Sequence, residues 1–137
     1  MERTFDTDAI RLITVFENIT GAPVKDCIVS DEAIYFLIEE GKVGIAIGKN
    51  GNNIKHAEKM IGKSIKVFEF SSDISKFLKN MIPQANMIKI TNGSEVVVEI
   101  KVDKTDRGLV IGRDGRNLKL FKEFLQRSHG INNLVVK

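Results

Sequence analysis

Along residues 8–20 the apolar positions Ala9, Leu12, Ile13, Phe16 and Ile19 fall three and four apart, the spacing of one face of an α-helix. Thr7 is the candidate N-cap and Gly21 stands just past the end. After Pro23 the periodicity changes. VKDCIVS and EAIYFLIE are rich in β-branched and aromatic residues, are separated by a short Asp/Glu turn, and predict an antiparallel strand pair. Residues 52–61 return to helical spacing, with Ile54, Ala57 and Ile61 on one face and Lys55, Glu58 and Lys59 elsewhere. IKVFEF then reads as a strand.

The cycle begins again at SSDISKFLKNMIP. Ser71 or Ser72 is expected to cap a helix that ends before Pro83 and carries Ile74, Phe77, Leu78 and Met81 as its apolar stripe. MIKITNG and SEVVVEIKV follow as strands, with Asn92-Gly93 as a hairpin turn signal. A further helix sets Leu118, Phe121 and Leu125 on its inner face, and INNLVVK closes the chain as a strand. Helix, strand, strand, helix, strand is thus read twice, with a division near residue 72 and no linker.

Ahead of the later helix of each half lies the same glycine motif. GIAIGKNGNNIK, from Gly44, and GLVIGRDGRNLK, from Gly108, match at a constant offset of 64 residues, with six of twelve positions identical. One glycine pair between two elements is most simply a tight turn. A pair repeated with the same aliphatic flanks and a basic residue after the first glycine points to a shared task.

Composition narrows that task. Cys27 is the only cysteine, so an internal disulfide and a thiolate zinc cluster are excluded, as suits a reducing cytoplasm. MERTFDTD lacks the basic-then-apolar order of a signal peptide, and no apolar run has membrane-spanning length, so a cytoplasmic protein without membrane contact is expected. The formal charge of +3 is unevenly spread: residues 1–40 hold three Lys/Arg against nine Asp/Glu, whereas residues 41–137 hold eighteen against nine. The positive charge therefore accompanies the glycine motifs, which suggests a polyanionic partner, with a merely solvated surface the equal alternative on charge alone.

The chemistry of the motif agrees. Glycine lets another backbone approach closely, and the first turn of the following helix offers amide N–H groups and a partial positive charge that attract phosphate. Nucleotide-binding motifs fail on spacing. Gly44, Gly48 and Gly51 do not form G-x-G-x-x-G, and Gly62-Lys63-Ser64 has Ala57 where the leading glycine of a P-loop belongs. Catalysis needs a positioned base, nucleophile or metal, and His56 and His129 have no counterparts in the other half, so no enzyme, cofactor or metal site is expected.

The pattern I-G-x-x-G-x-x-I/L, between a strand pair and a helix-strand unit, resembles the KH domain, whose G-x-x-G loop clamps about four nucleotides of single-stranded nucleic acid. A leading helix and strand is similar to the prokaryotic, or type II, arrangement. The resemblance implies an α+β fold of two tandem type II KH domains, residues 1–71 and 72–137. Each would run helix-strand-strand-helix-helix-strand with a three-stranded mixed sheet covered by helices. Two abutting domains, the phrase TGAPVKDCIVSD and the paired motifs further resemble the archaeal NusA-like transcription termination and antitermination factors. Such a chain has no room for the polymerase-binding domain or the oligonucleotide-binding barrel of bacterial NusA.

The resemblance implies short helices at residues 43–47 and 107–111, although their β-branched residues taken alone suggest strand. Gly48, Lys49, Asn50 and Gly51, with Gly112, Arg113, Asp114 and Gly115, would face a sugar-phosphate backbone. Ile45, Ile47, Leu109 and Ile111 would divide between the core and an apolar floor for bases. Ile54 and Leu118 are expected in the core. Asn53 and Asn117 either hydrogen-bond the ligand or brace the loop; Arg116 adds charge, and Lys55, Lys59, Lys119 and Lys122 supply distant attraction or a solvated face. Asp114 departs from the pattern by placing a negative charge where phosphates would pass.

With no tryptophan and one tyrosine, the chain lacks the stacking platforms of other RNA-binding folds; Phe68 and Phe70 remain candidates for lining a groove. The implied function is single-stranded RNA binding in transcription termination or antitermination by a monomer, with RNA polymerase or nascent-transcript complexes as further partners. A KH protein of ribosome assembly or RNA turnover is the alternative.

Overall fold

The computed structural model describes residues 7–137. The chain divides between Ser71 and Ser72 into two compact α+β units. The first contains α1 (Thr7–Thr20), β1 (Val24–Val29), β2 (Ala33–Ile38), α2 (Val43–Ile47), α3 (Asn52–Ile61) and β3 (Ser64–Glu69). The second contains α4 (Ile74–Met81), β4 (Met87–Asn92), β5 (Val96–Lys101), α5 (Arg107–Ile111), α6 (Arg116–His129) and β6 (Asn133–Val136), in the same order of element types. The capping role expected of Thr7 falls on a side chain outside the described set.

In the first unit β2 is the central strand, antiparallel to β1 and parallel to β3. A parallel neighbour requires a crossover, which α2, the glycine bend and α3 together supply. All six residues of β2 are buried, so AIYFLI reads as a continuous apolar run rather than an alternation. Ile34, Phe36 and Ile38 join Ala9 and Phe16 of α1, Ala46 of α2 and Ala57 of α3 in one core, with Leu12, Ile13, Ile54 and Ile61 packed against it. The rings of Phe16 and Phe36 stack with centroids 4.2 Å apart. Cys27, opposite Phe36 on β1, is buried in the same core. The end of α1 is set locally. Gly21, at φ +76°, donates its N–H to the Glu17 carbonyl at 2.8 Å, and the Glu17 carboxylate then accepts from Val24 N at 2.8 Å, turning the chain into β1.

The second unit repeats the topology, with β5 antiparallel to β4 and parallel to β6. Three details differ from the sequence expectation. The cap of α4 is Asp73, not Ser71 or Ser72: its Oδ1 accepts from Ser75 N at 2.9 Å and Lys76 N at 3.2 Å. A carboxylate immediately before Ile74 reaches two orphan amides, which a serine farther upstream does not. The β4–β5 connection is the three-residue loop Gly93–Glu95, closed by Gly93 N to Glu95 O at 3.1 Å, because Asn92 stays in the ladder opposite Val96. On α6 the buried residues are Leu120, Phe121, Phe124 and Leu125, while Leu118 is only half-buried. This helix continues to His129, past the length of α3, so its second half acquires a face with no counterpart in the first unit.

The cap makes a direct test. Asp73→Ala is expected to lower stability by about 1 kcal/mol in urea unfolding, whereas Ser72→Ala, at an exposed position outside the helix, changes it little.

Candidate nucleic-acid interface

Both short segments before the bends are helical over the implied bounds, α2 and α5, despite their β-branched residues. Each turns one residue inward. Ala46 is 0% exposed and Val110 3%, whereas Ile45 (44%), Ile47 (37%) and Leu109 (66%) lie at the surface and Ile111 is half-buried. Val43 of α2 also packs, half-buried, against the core, so the aliphatics left exposed beside the bends are Ile45, Ile47 and Leu109.

The bend is built alike in both units. Gly48 has φ 76° and ψ 172° and donates its N–H to Gly44 O at 2.9 Å; Gly112 has φ 77° and ψ 170° and donates to Gly108 O at 2.8 Å. This backbone region is essentially restricted to glycine. Space imposes the same choice, since a Cβ on Gly48 would lie 2.7 Å from Asn53 Cγ and one on Gly112 2.8 Å from Asn117 Cγ. Asn50 (φ 55°, ψ 26°) and Asp114 (φ 57°, ψ 25°) then take the left-handed conformation that short polar side chains tolerate best. That conformation accounts for the residue type at 114: aspartate, like asparagine, suits the backbone, whatever its charge does to a ligand.

The same asparagines that crowd the glycines hold the bend closed. Asn53 Nδ2 donates to Ile45 O at 2.8 Å and Asn117 Nδ2 to Leu109 O at 3.0 Å, tying the start of α3 or α6 to the short helix before it. Of the two roles left open by the sequence, this is the bracing one. No side chain caps either following helix, whose N-cap residues are Gly51 and Gly115. The helix mouths therefore present backbone rather than a capping carboxylate or hydroxyl.

Lys49, Asn50, Arg113, Asp114 and Arg116 are exposed around these mouths, as are Lys55 and Lys119 a turn further on; Lys59 is exposed in the last turn of α3, and Lys122 is half-buried. Lys55 Nζ donates to Asn50 O at 3.4 Å, a contact to the bend that helical spacing alone did not predict. Cationic side chains, bare amide backbone and adjoining exposed aliphatics form a surface on which an anionic chain with apolar faces can lie.

Phe68 and Phe70 sit elsewhere. Phe68 lies parallel to Tyr35 with centroids 6.1 Å apart, and the register puts that pair on the sheet face opposite Ile34, Phe36 and Ile38. Lys25 Nζ stands 4.5 Å from the Phe70 ring centre. Of the candidates considered for chemistry, His56 is exposed on α3, while His129 at the end of α6 contacts Ser128 Oγ at 2.7 Å and stacks on Phe77. Among the described residues no group of three His, Cys, Asp or Glu is placed to hold a metal ion, and no helix is long and apolar enough to cross a membrane.

Comparison with known proteins adds an independent line. The profile of the KH domain matches residues 11–84, which include the first bend. The chain is 36% identical over 133 residues to the probable transcription termination protein NusA of Methanocaldococcus jannaschii, covering 95% of this chain and 73% of that one. It is 32% identical over 141 residues to the protein of the same name from Thermoplasma acidophilum, covering 99% and 96%. The crystal structure of APE1850 aligns with a TM-score of 0.79 at 34% identity, covering 97% of this chain and all of that one.

The bend geometry separates two glycines that look alike in sequence. Gly48→Ala is expected to destabilise the first unit by about 3 kcal/mol, from backbone strain and the contact with Asn53. Gly44→Ala, inside α2 with nothing within 4 Å, should be neutral or stabilising by up to about 1 kcal/mol. Urea unfolding followed by the fluorescence of Tyr35, the single tyrosine, reads both.

Proposed function

The chain belongs to the KH domain family, alongside archaeal relatives named NusA, and on that footing we propose that it is an RNA-binding transcription factor in which each unit is a type II KH domain. In this reading the protein binds single-stranded RNA, about four nucleotides at each bend, and acts on transcription termination or antitermination. Gly48, Lys49, Asn50 and Gly51 carry the sugar-phosphate backbone in the first domain, and Gly112, Arg113, Asp114, Gly115 and Arg116 in the second. Ile45, Ile47, Leu109 and Ile111 form the apolar surface for bases, and Asn53 and Asn117 position the loops. RNA polymerase or the nascent-transcript complex is the partner such a role requires.

The observation that supports this reading above all is duplication. A bend that demands two specialised glycines, with exposed cations on its tip and exposed aliphatics beside it, is built twice at an offset of 64 residues. A purely structural turn has no need of the outward-facing isoleucines, leucine and basic residues that both copies carry.

Lys49→Asp and Asn50→Asp are expected to weaken binding of a short single-stranded RNA by about tenfold at fixed salt, a cost of about 1.4 kcal/mol, while the melting temperature stays within a degree or so of the parent. Removal of one cation–phosphate pairing should also flatten the dependence of log affinity on log salt by about 0.7. Parent-like affinity in both variants removes the loop assignment. RNA crosslinked to the protein in cells and sequenced tests the process: enrichment in nascent transcripts supports the transcriptional role, and enrichment in ribosomal precursors or decay intermediates replaces it with ribosome assembly or RNA turnover.

A further inference from the structure

The two bends form an internal comparison, because their backbones agree while their side chains do not. At the three left-handed positions φ and ψ differ by no more than 3° between the copies. Net formal charge agrees as well: residues 49–52 carry one positive charge, from Lys49, and residues 113–116 also carry one, from two arginines less Asp114. What differs is the arrangement. The first loop presents one ammonium and the amides of Asn50 and Asn52, groups that both donate and accept. The second sets a carboxylate, an acceptor only, between two guanidinium forks, which only donate.

A ligand lying along the second loop meets donors at the exposed Arg113 and an acceptor at the exposed Asp114, and suits both if it carries acceptors and a donor close together. Phosphate oxygens fill the first requirement and are repelled by the carboxylate. The donor nearest to phosphate on every nucleotide of RNA is the ribose 2′-hydroxyl; DNA has none. We propose that Asp114 is a specificity-determining residue that accepts a hydrogen bond from a ribose 2′-hydroxyl, so that discrimination of RNA from DNA is concentrated in the second loop. This rests on the reading of the bends as backbone clamps. Against DNA the carboxylate contributes repulsion alone; against RNA the hydrogen bond offsets part of it. The first loop, with neutral amides at the corresponding places, has no such penalty and grips either backbone.

Titrations of the full chain with labelled, randomised short pools of RNA, 2′-fluoro RNA and DNA test this. The fluoro sugar retains the ribose pucker without a donor. In a Lys49→Asp background, which leaves the second loop dominant, RNA is expected to bind about tenfold more tightly than 2′-fluoro RNA, the scale of one hydrogen bond to a charged group. Asp114→Asn in that background should bring the ratio near one, chiefly by improving the fluoro and DNA pools. Asn50→Asp in an otherwise native chain should raise it. Asparagine keeps the left-handed backbone at 114, so the variant retains the bend. If Asp114→Asn tightens all three pools equally, the carboxylate only repels phosphate and the assignment is overturned while the clamp stands. If neither Lys49→Asp nor Asp114→Asn changes the binding of any pool, the clamp reading falls and this proposal with it.

Discussion

An asparagine amide reaching back across a glycine is the contact on which each bend depends. Asn53 to Ile45 O at 2.8 Å, and Asn117 to Leu109 O at 3.0 Å, join the beginning of one helix to the body of the one before it. The asparagine fills the volume that a side chain at Gly48 or Gly112 would need, so the brace and the glycine require each other. Two residues after the sharp exit from α2 or α5 the backbone is left-handed, at Asn50 and Asp114. Two residue choices that look like independent parts of a motif, the glycine and the asparagine, are thus coupled by one hydrogen bond and the space it occupies.

The brace also decides what remains outside. With the short helices held at a fixed angle, Ala46 and Val110 become their only buried members, and the neighbouring aliphatics are left at the surface. Exposure of Leu109 and Ile45 carries a cost in water, on the order of 1.5–3 kcal/mol for a large aliphatic that full burial would recover. Cationic side chains a few residues on share that surface. The combination suits a ligand that is charged along one edge and apolar along the other, as a single strand of nucleic acid is.

Much of the architecture was legible because its hydrophobic periods are long enough to be unambiguous: α1, α3, α4 and the strands fall where the spacing puts them. The short helices are a different case. VGIAI and RGLVI carry strand-favouring residues, and only resemblance to a family overrode that preference; the crossover that makes β2 and β3 parallel explains it physically. Asp73 as the cap and the Gly93–Glu95 loop depended on one-residue choices of register, which tertiary pairing settles and composition does not. The extra inward face of α6 at Leu120 and Phe124 was hidden by extending the 64-residue repeat too literally to a longer helix. Within the bends, glycines and charges were visible, but the bracing bond of Asn53 needed the distance to a carbonyl eight residues away.

Cys27 lies at 2% exposure in the core of the first unit, and no other thiol occurs in the chain. Its sulfur meets an alkylating reagent only when that unit opens, so the rate of modification is a clock for excursions of residues 7–71 that the second unit cannot disturb with a signal of its own. The molecule thus carries a built-in reporter on the opening of its first half.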